Sequence, residues 1–135
     1  MRALILLSFL ILFSLIFSSA CKKNPFDFRS KYTGDYEFTY SYSSWNINVG
    51  VYDADTLYYA GNIYYENDGK IIINYYSGTE LELGIDKDGN LSLSCGASAG
   101  KFDNSSSVSI DYSTGSCPGS GLGGGTNYTI RGTKK

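Results

Sequence analysis

Apolar and polar residues alternate along much of this chain, most sharply where the intervening turns are easiest to place. Tyr36, Phe38, Tyr40 and Tyr42 alternate with Asp35, Glu37, Thr39 and Ser41, the two-residue period of a strand with one buried face. After Ser43-Ser44, Trp45, Ile47, Val49 and Val51 alternate with Asn46, Asn48 and Gly50, predicting a second strand that ends in a turn at Asp53-Ala54-Asp55.

Three hairpins follow. Asn67-Asp68-Gly69 has the composition of a three-residue loop with glycine in the left-handed position. It sets Glu66 opposite Lys70, Tyr65 opposite Ile71, Ile63 opposite Ile73 and Gly61 opposite Tyr75. A loop at Ser77-Gly78-Thr79 sets Tyr75 against Leu81, Ile73 against Leu83 and Ile71 against Ile85. Lys87-Asp88-Gly89 then sets Asp86 against Asn90, Ile85 against Leu91, Leu83 against Leu93 and Leu81 against Cys95. One face stays apolar throughout, and a one-residue slip would expose all of it.

The pattern weakens from Ala97 to Ser107 and returns in Val108, Ile110 and Tyr112; a glycine-rich loop from Thr114 to Gly125 leads to a last strand, Asn127 to Gly132. The chain is expected to be all-β, with about eight short antiparallel strands in an up-and-down barrel of lipocalin-like form or a sandwich. The inward set, which includes Tyr59, Ile63, Ile73, Tyr75, Leu83 and Leu91, is bulky enough to fill a small barrel.

The first residues differ in kind. Arg2 precedes an apolar run from Ala3 to Phe17, broken only by Ser8 and Ser14, and Ser18, Ser19 and Ala20 stand before Cys21. A basic start, an apolar stretch shorter than a membrane span and a small-residue end make a secretory signal peptide over 1–20. Small-small-Ala-Cys followed by Lys22-Lys23 resembles the lipobox of Bacteroidetes-type lipoproteins, with Ser18 where an aliphatic residue is usual. The resemblance implies a diacylglyceryl group on the Cys21 thiol, cleavage just before it, palmitate among the acyl chains and an address in the cell envelope, at the outer membrane. Residues 21–31, with Asn24-Pro25 and no period, are expected to form a tether, and 32–135 a single β-domain.

Composition narrows the function. The chain holds 13 Tyr, 7 Phe and no His, with 11 basic residues, Arg2 of the leader among them, against 13 acidic ones. An acidic mature domain lacks the basic stripe that nucleic acid demands. Without histidine the usual base of Ser and Cys hydrolases is missing, and Glu80 and Glu82, two apart on an outward strand face, do not oppose each other across a cleft as glycosidase carboxylates must. No enzyme activity, metal or cofactor is expected. Asp86-Lys87-Asp88-Gly89-Asn90 resembles the start of a calcium loop but lacks the distal glutamate, and is expected to be only a turn. Gly119 to Gly125 lacks the Lys-Ser/Thr of a phosphate cradle and is expected to be a mobile loop or a lid.

The tyrosine doublets are the remaining feature. Neighbours in a strand point to opposite faces, so each doublet places one ring inside and one outside. Tyr58, Tyr64, Ile72 and Tyr76 form the expected outward patch, suited to a protein partner or a glycan, or serving only cross-strand packing. Cys95 and Cys117 are an even pair in an oxidising compartment, yet the expected topology puts them near opposite ends of the sheet, leaving a disulfide and two buried thiols both open. Asp55-Thr56-Leu57 resembles a Bacteroidetes-type O-glycosylation sequence, which implies Thr56 as acceptor.

Gly121-Leu122-Gly123-Gly124-Gly125, Tyr128-Thr129-Ile130-Arg131-Gly132-Thr133-Lys134, Gly100-Lys101-Phe102 and Tyr32-Thr33-Gly34-Asp35-Tyr36 together resemble small β-rich lipoproteins of the Bacteroidetes type. That resemblance implies no catalytic residues. The expected function is a lipid-anchored, non-enzymatic binding or structural domain, with a lipocalin-like carrier of a small ligand or an envelope inhibitor as alternatives.

Overall fold

The structure, a computed structural model, describes residues 27–46, 48, 50–66, 69–118 and 124–135. The leader, Cys21 and the first part of the expected tether lie outside the described residues, as do Ile47, Val49, Asn67, Asp68 and 119–123.

The chain closes into an eight-stranded antiparallel barrel in which every strand pairs with its sequence neighbours and β1 pairs with β8. The strands are β1 Gly34–Asn46, β2 Gly50–Tyr64, β3 Lys70–Tyr76, β4 Thr79–Ile85, β5 Asn90–Ser92, β6 Ser98–Phe102, β7 Ser107–Ser113 and β8 Gly124–Lys134. The closed sheet decides between barrel and sandwich. A closed sheet has no edge along its sealed length.

Two boundaries differ from expectation. Trp45 and Asn46 belong to β1, which is continuous from Gly34, and the predicted turn at 53–55 lies inside β2, where Asp55 pairs with Tyr42. The β1–β2 ladder instead continues to the pair Asn46 and Gly50. A register shift between Tyr42 and Ser44 takes up the extra residue, so the Ser43-Ser44 break reads as a bulge within one long strand. The lost strand is offset by β6, which the sequence pattern hides. Its apolar residues are only Ala99 and Phe102, and Gly100 presses so closely on β7 that an added Cβ would lie 2.1 Å from the Ser109 carbonyl.

The expected pairings of Asn62 with Asn74, Ile63 with Ile73, and Tyr64 with Ile72 are present, as is Ile85 with Leu91. Between β3 and β4 the register is two residues away from expectation: Ile73 faces Leu81 and Ile71 faces Leu83. Ser77-Gly78 is a two-residue turn, with Gly78 at φ 71°, and a shift between Asn74 and Tyr76 absorbs one residue more. An even displacement keeps every side chain on its own face, so the apolar face survived the error. Gly61 with Tyr75, Leu83 with Leu93 and Leu81 with Cys95 are expected pairs that are absent. The β2 to β3 ladder ends at Asn62 and Asn74, where Gly61 lies against the Asn74 carbonyl and the Phe38 ring in place of Tyr75. Strand β5 stops at Ser92, and a turn in which Gly96 N–H donates to Leu93 O and Leu93 N–H to Ala97 O carries Cys95 away from Leu81.

The core fills the lower barrel. Tyr36, Phe38, Ile63, Ile73, Leu83 and Ile130 are each 1% exposed or less. A short 3-10 helix, Phe28–Tyr32, plugs that end, so the last residues of the expected tether belong to the folded domain. Tyr32 stacks on Phe102 with ring centres 4.3 Å apart, and Tyr36 Oη donates to Tyr32 O at 2.9 Å. Arg29, 8% exposed, donates through Nη1 to Glu66 O and Lys70 O at the β2–β3 turn, through Nε and Nη2 to Asp27, and lies over the Tyr65 ring. The guanidinium thereby ties the plug to the sheet through two main-chain carbonyls that flank the β2–β3 turn. Asp27 is held below the usual carboxylate range, chiefly by its hydrogen bond with Arg29.

Candidate functional site: a tyrosine-lined barrel mouth

The end opposite the plug is built differently. The inward parity that buries Tyr36 and Phe38 continues up β1 to Tyr40 and Tyr42, up β7 to Tyr112, and up β8 to Tyr128. There the sheet is uneven: β2, β1 and β8 run 15, 13 and 11 residues, whereas β5 and β6 run 3 and 5. A tall wall therefore faces a low one, and the half-buried rings line the inner side of the tall wall.

Tyr40 is the hub. Its ring centre lies 5.1 Å from Tyr75, 5.7 Å from Tyr76, 5.8 Å from Tyr42 and 6.2 Å from Tyr128; Tyr128 in turn stacks on Tyr112 at 4.8 Å. Such offset and tilted pairs contribute beyond the area they bury. Burial, followed by the neighbouring phenols, pushes Tyr40 up to about 12. Burial raises Tyr75 as well, and Tyr112 further still, with Tyr75 as second cause. At neutral pH Tyr40, Tyr75 and Tyr112 are thus held as neutral phenols at the centre of the mouth. Among the described residues of its rim, 41–46, 55–59, 75–81, 93–97, 112–118 and 124–129, there is no Lys or Arg, and serine, threonine, asparagine and glycine fill most of the remaining positions.

Cys95 and Cys117 form a disulfide across this end, with Cα atoms 5.8 Å apart. The topological objection to it fails because β6 exists: the extra strand returns the chain, so that β7 delivers Cys117 to the end where Cys95 sits. The bridge ties the β5–β6 turn to the loop after β7, anchoring the start of the glycine-rich segment on the low wall.

The expected outward patch is divided. Tyr58 is 82% exposed on the outer face of β2, beside a shallow groove of about 500 Å³ lined by Glu37, Thr39, Ala60, Arg131 and Thr133. Arg131 is held there by Ile110 O, Ile130 O and both oxygens of Asp111. Tyr64 lies farther down, opposite Ile72, and donates to Glu80 Oε1 at 2.6 Å, which pushes its phenol up to about 12. Tyr76 leaves the patch altogether: the irregularity after Asn74 turns its ring to the mouth, against Tyr40 and Tyr59. Thr56 is exposed on β2. The Asp86 carboxylate accepts from Asp88 N–H, Asn90 N–H and Asn90 Nδ2, the arrangement of a self-satisfied turn. Among the described residues no group of three or more Cys, Asp or Glu side chains is placed to hold a metal ion, and no helix is long and apolar enough to cross a membrane.

Tyr40, Tyr42, Tyr112 and Tyr128 were missed as site residues. Their inward parity was legible, but not that the core ends below them. Comparison with known proteins finds no matching family model, curated protein or solved structure.

Proposed function

We propose that this protein is a lipid-anchored, non-enzymatic binding lipoprotein of the bacterial cell envelope, held by an acylated Cys21 and recognising a protein or glycan partner through its tyrosine mouth. The observation that carries this reading is the position of the mouth at the end of the barrel opposite the N-terminal plug. From Cys21 to Asp27 the chain spans at most about 20 Å, so an anchor at Cys21 keeps the plug near the bilayer and turns the tyrosines away from it. Lys31, Lys70, Lys87, Lys101, Lys134 and Lys135 stand at the plug end by their places in the strand order, on the side that would meet lipid headgroups. The mouth combines rigid amphipathic rings with small adaptable polar residues, a composition that suits recognition at low entropic cost.

A carrier with its ligand deep in the barrel fits less well, because the lower interior is occupied by the protein's own side chains. Two experiments test the proposal. Cys21→Ser is expected to abolish membrane retention or block processing in fractionated cells; a processed form of this variant that stays fully membrane-bound would overturn the anchor. The triple change Tyr42→Ser, Tyr76→Ser and Tyr128→Ser is expected to abolish cross-linking to envelope proteins and binding to envelope glycans, with far-UV circular dichroism unchanged. Undiminished binding would remove the mouth as the recognition surface.

A further inference from the structure

We infer that the upper edge of β2, residues 56–61, is a docking edge that accepts an extended, basic segment of a partner protein as an added strand. On one side β2 is paired with β1 from Asn46 and Gly50 to Gly34 and Ile63. On the other side β3 is registered only against 62–64. Residues 56–61 are therefore registered against no strand on that side among the described residues, with only Gly61 covered there by the Asn74 carbonyl.

The cause is local. Gly61 lets the Asn74 carbonyl come so close that an added Cβ would stand 1.9 Å from it, and immediately above, where the β3–β4 register shifts between Asn74 and Tyr76, no residue of β3 is registered against β2. Rings then close the seam where backbone pairing stops, Tyr76 lying 6.2 Å from Tyr59 and 5.7 Å from Tyr40. The interior is sealed by side chains while the edge of β2 stays open.

This edge also lacks the usual protection. Sheet edges are normally blunted with lysine, proline or inward charge, whereas Thr56-Leu57-Tyr58-Tyr59-Ala60-Gly61 has none of these and is rich in strand-forming residues. The upper part of β4 gives the contrast. Its residues 79–83 lie beyond the β5 ladder, but Glu80 and Glu82 alternate along it, engaged by Tyr64 and Lys70. Main-chain pairing would supply affinity for a strand laid on β2, with Tyr58 covering its outer face. On its open side the edge is bordered by Asp55, which precedes it in sequence, and Glu80 across the seam; on the β1 side Glu37 pairs with Ala60, and Arg131, in the groove beside Tyr58, is already engaged by both oxygens of Asp111. Charge complementarity thus selects lysine or arginine in the incoming segment, and disfavours a second copy of this acidic strand.

The test uses the purified mature protein and a fluorescent seven-residue peptide of alternating Lys and Val. Saturable anisotropy is expected, weakened by about tenfold or more when alternate peptide amides are N-methylated, since each lost main-chain pair leaves a polar group unsatisfied. Replacing Lys by Glu in the peptide, or Tyr58→Lys at an exposed position of the protein, is expected to weaken it comparably. Hydrogen exchange should show new protection at alternate amides of 56–61 and no matching change along β4. Equal binding of the N-methylated peptide, protection confined to other segments, or no binding would overturn the inference. So would concentration-dependent dimerisation of the protein alone with the same protection pattern, which would make a second copy the occupant.

Discussion

Gly61 shows how one missing side chain shapes a surface. It is tolerated in β2, where glycine ordinarily weakens a strand, because Asn74 O and the Phe38 ring occupy the space a Cβ would need. Gly61→Ala is expected to destabilise the barrel by roughly 1–3 kcal/mol, the usual range for overpacking, and to part β2 from β3 above Tyr64. Urea unfolding measures the first effect, and faster amide exchange at Asn62 and Asn74 than in the parent protein measures the second. Asn74 has one further peculiarity: its side-chain Oδ1 is buried without a hydrogen-bond partner, a destabilising feature at the same seam. The outward position of Asn74 was legible from strand parity. The seam itself was not, because alternation specifies which face a residue occupies but not where a ladder stops.

At the scale of elements, the plug helix and β6 are the two pieces that periodicity could not announce. Phe28–Tyr32 is too short to show a period, and it is held by long-range contacts: the Tyr32–Phe102 stack, Tyr36 Oη on Tyr32 O, and Arg29, which engages two turn carbonyls and a carboxylate together. Arg29→Ala is expected to release the plug and cost about 3 kcal/mol, since it strands buried polar groups, whereas the conservative Arg29→Lys cannot reproduce the fork and should recover only part; thermal melts of the three proteins check the order. The same ion pair sets an acid limit. The Asp27 carboxyl is depressed in the folded state, so its contribution is present above the ordinary carboxylate range and is lost as pH falls through the lowered value. Tyr32 fluorescence and exchange at 28–33 should therefore change at acid pH, before the barrel core opens. β6 was hidden for another reason: it packs by close backbone approach at Gly100 instead of by large apolar side chains, and the disulfide was judged against a topology that lacked this strand. The hairpin loops, by contrast, were legible because glycine at positive φ, as at Gly78 and Gly89, leaves a compositional mark.

At the scale of the whole molecule, the barrel has a close-packed lower half that includes Tyr36 and a more phenolic upper half, and raised phenols in both tie its stability to alkaline pH. Tyr36 and Tyr40 are both pushed up to about 12 from an ordinary value of 10.0. A raised phenol contributes stability that is fully present below the unfolded value and is lost as pH rises through the folded one, so the domain should lose stability between pH 10 and about 12. Tyrosinate absorbance from Tyr40, Tyr75 and Tyr112 is expected to appear only together with the loss of ellipticity. A single smooth titration with no structural transition would contradict this.

The pairing of β1 with β8 also governs the order in which the fold can be made. Seven of the eight seams join strands that follow one another along the chain, and such hairpins require little loop closure, whereas the eighth runs from Tyr36 and Lys134 to Asn46 and Gly124 and joins the two ends of the domain. Contacts of that separation are slow to form, so zippering of local hairpins should come early and sealing of the barrel last. β1 then waits with one open side until the final strand arrives, and a polypeptide interrupted before residue 124 would keep an adhesive strand exposed. Completion of the last strand is therefore the step that turns an aggregation-prone ribbon into a protein.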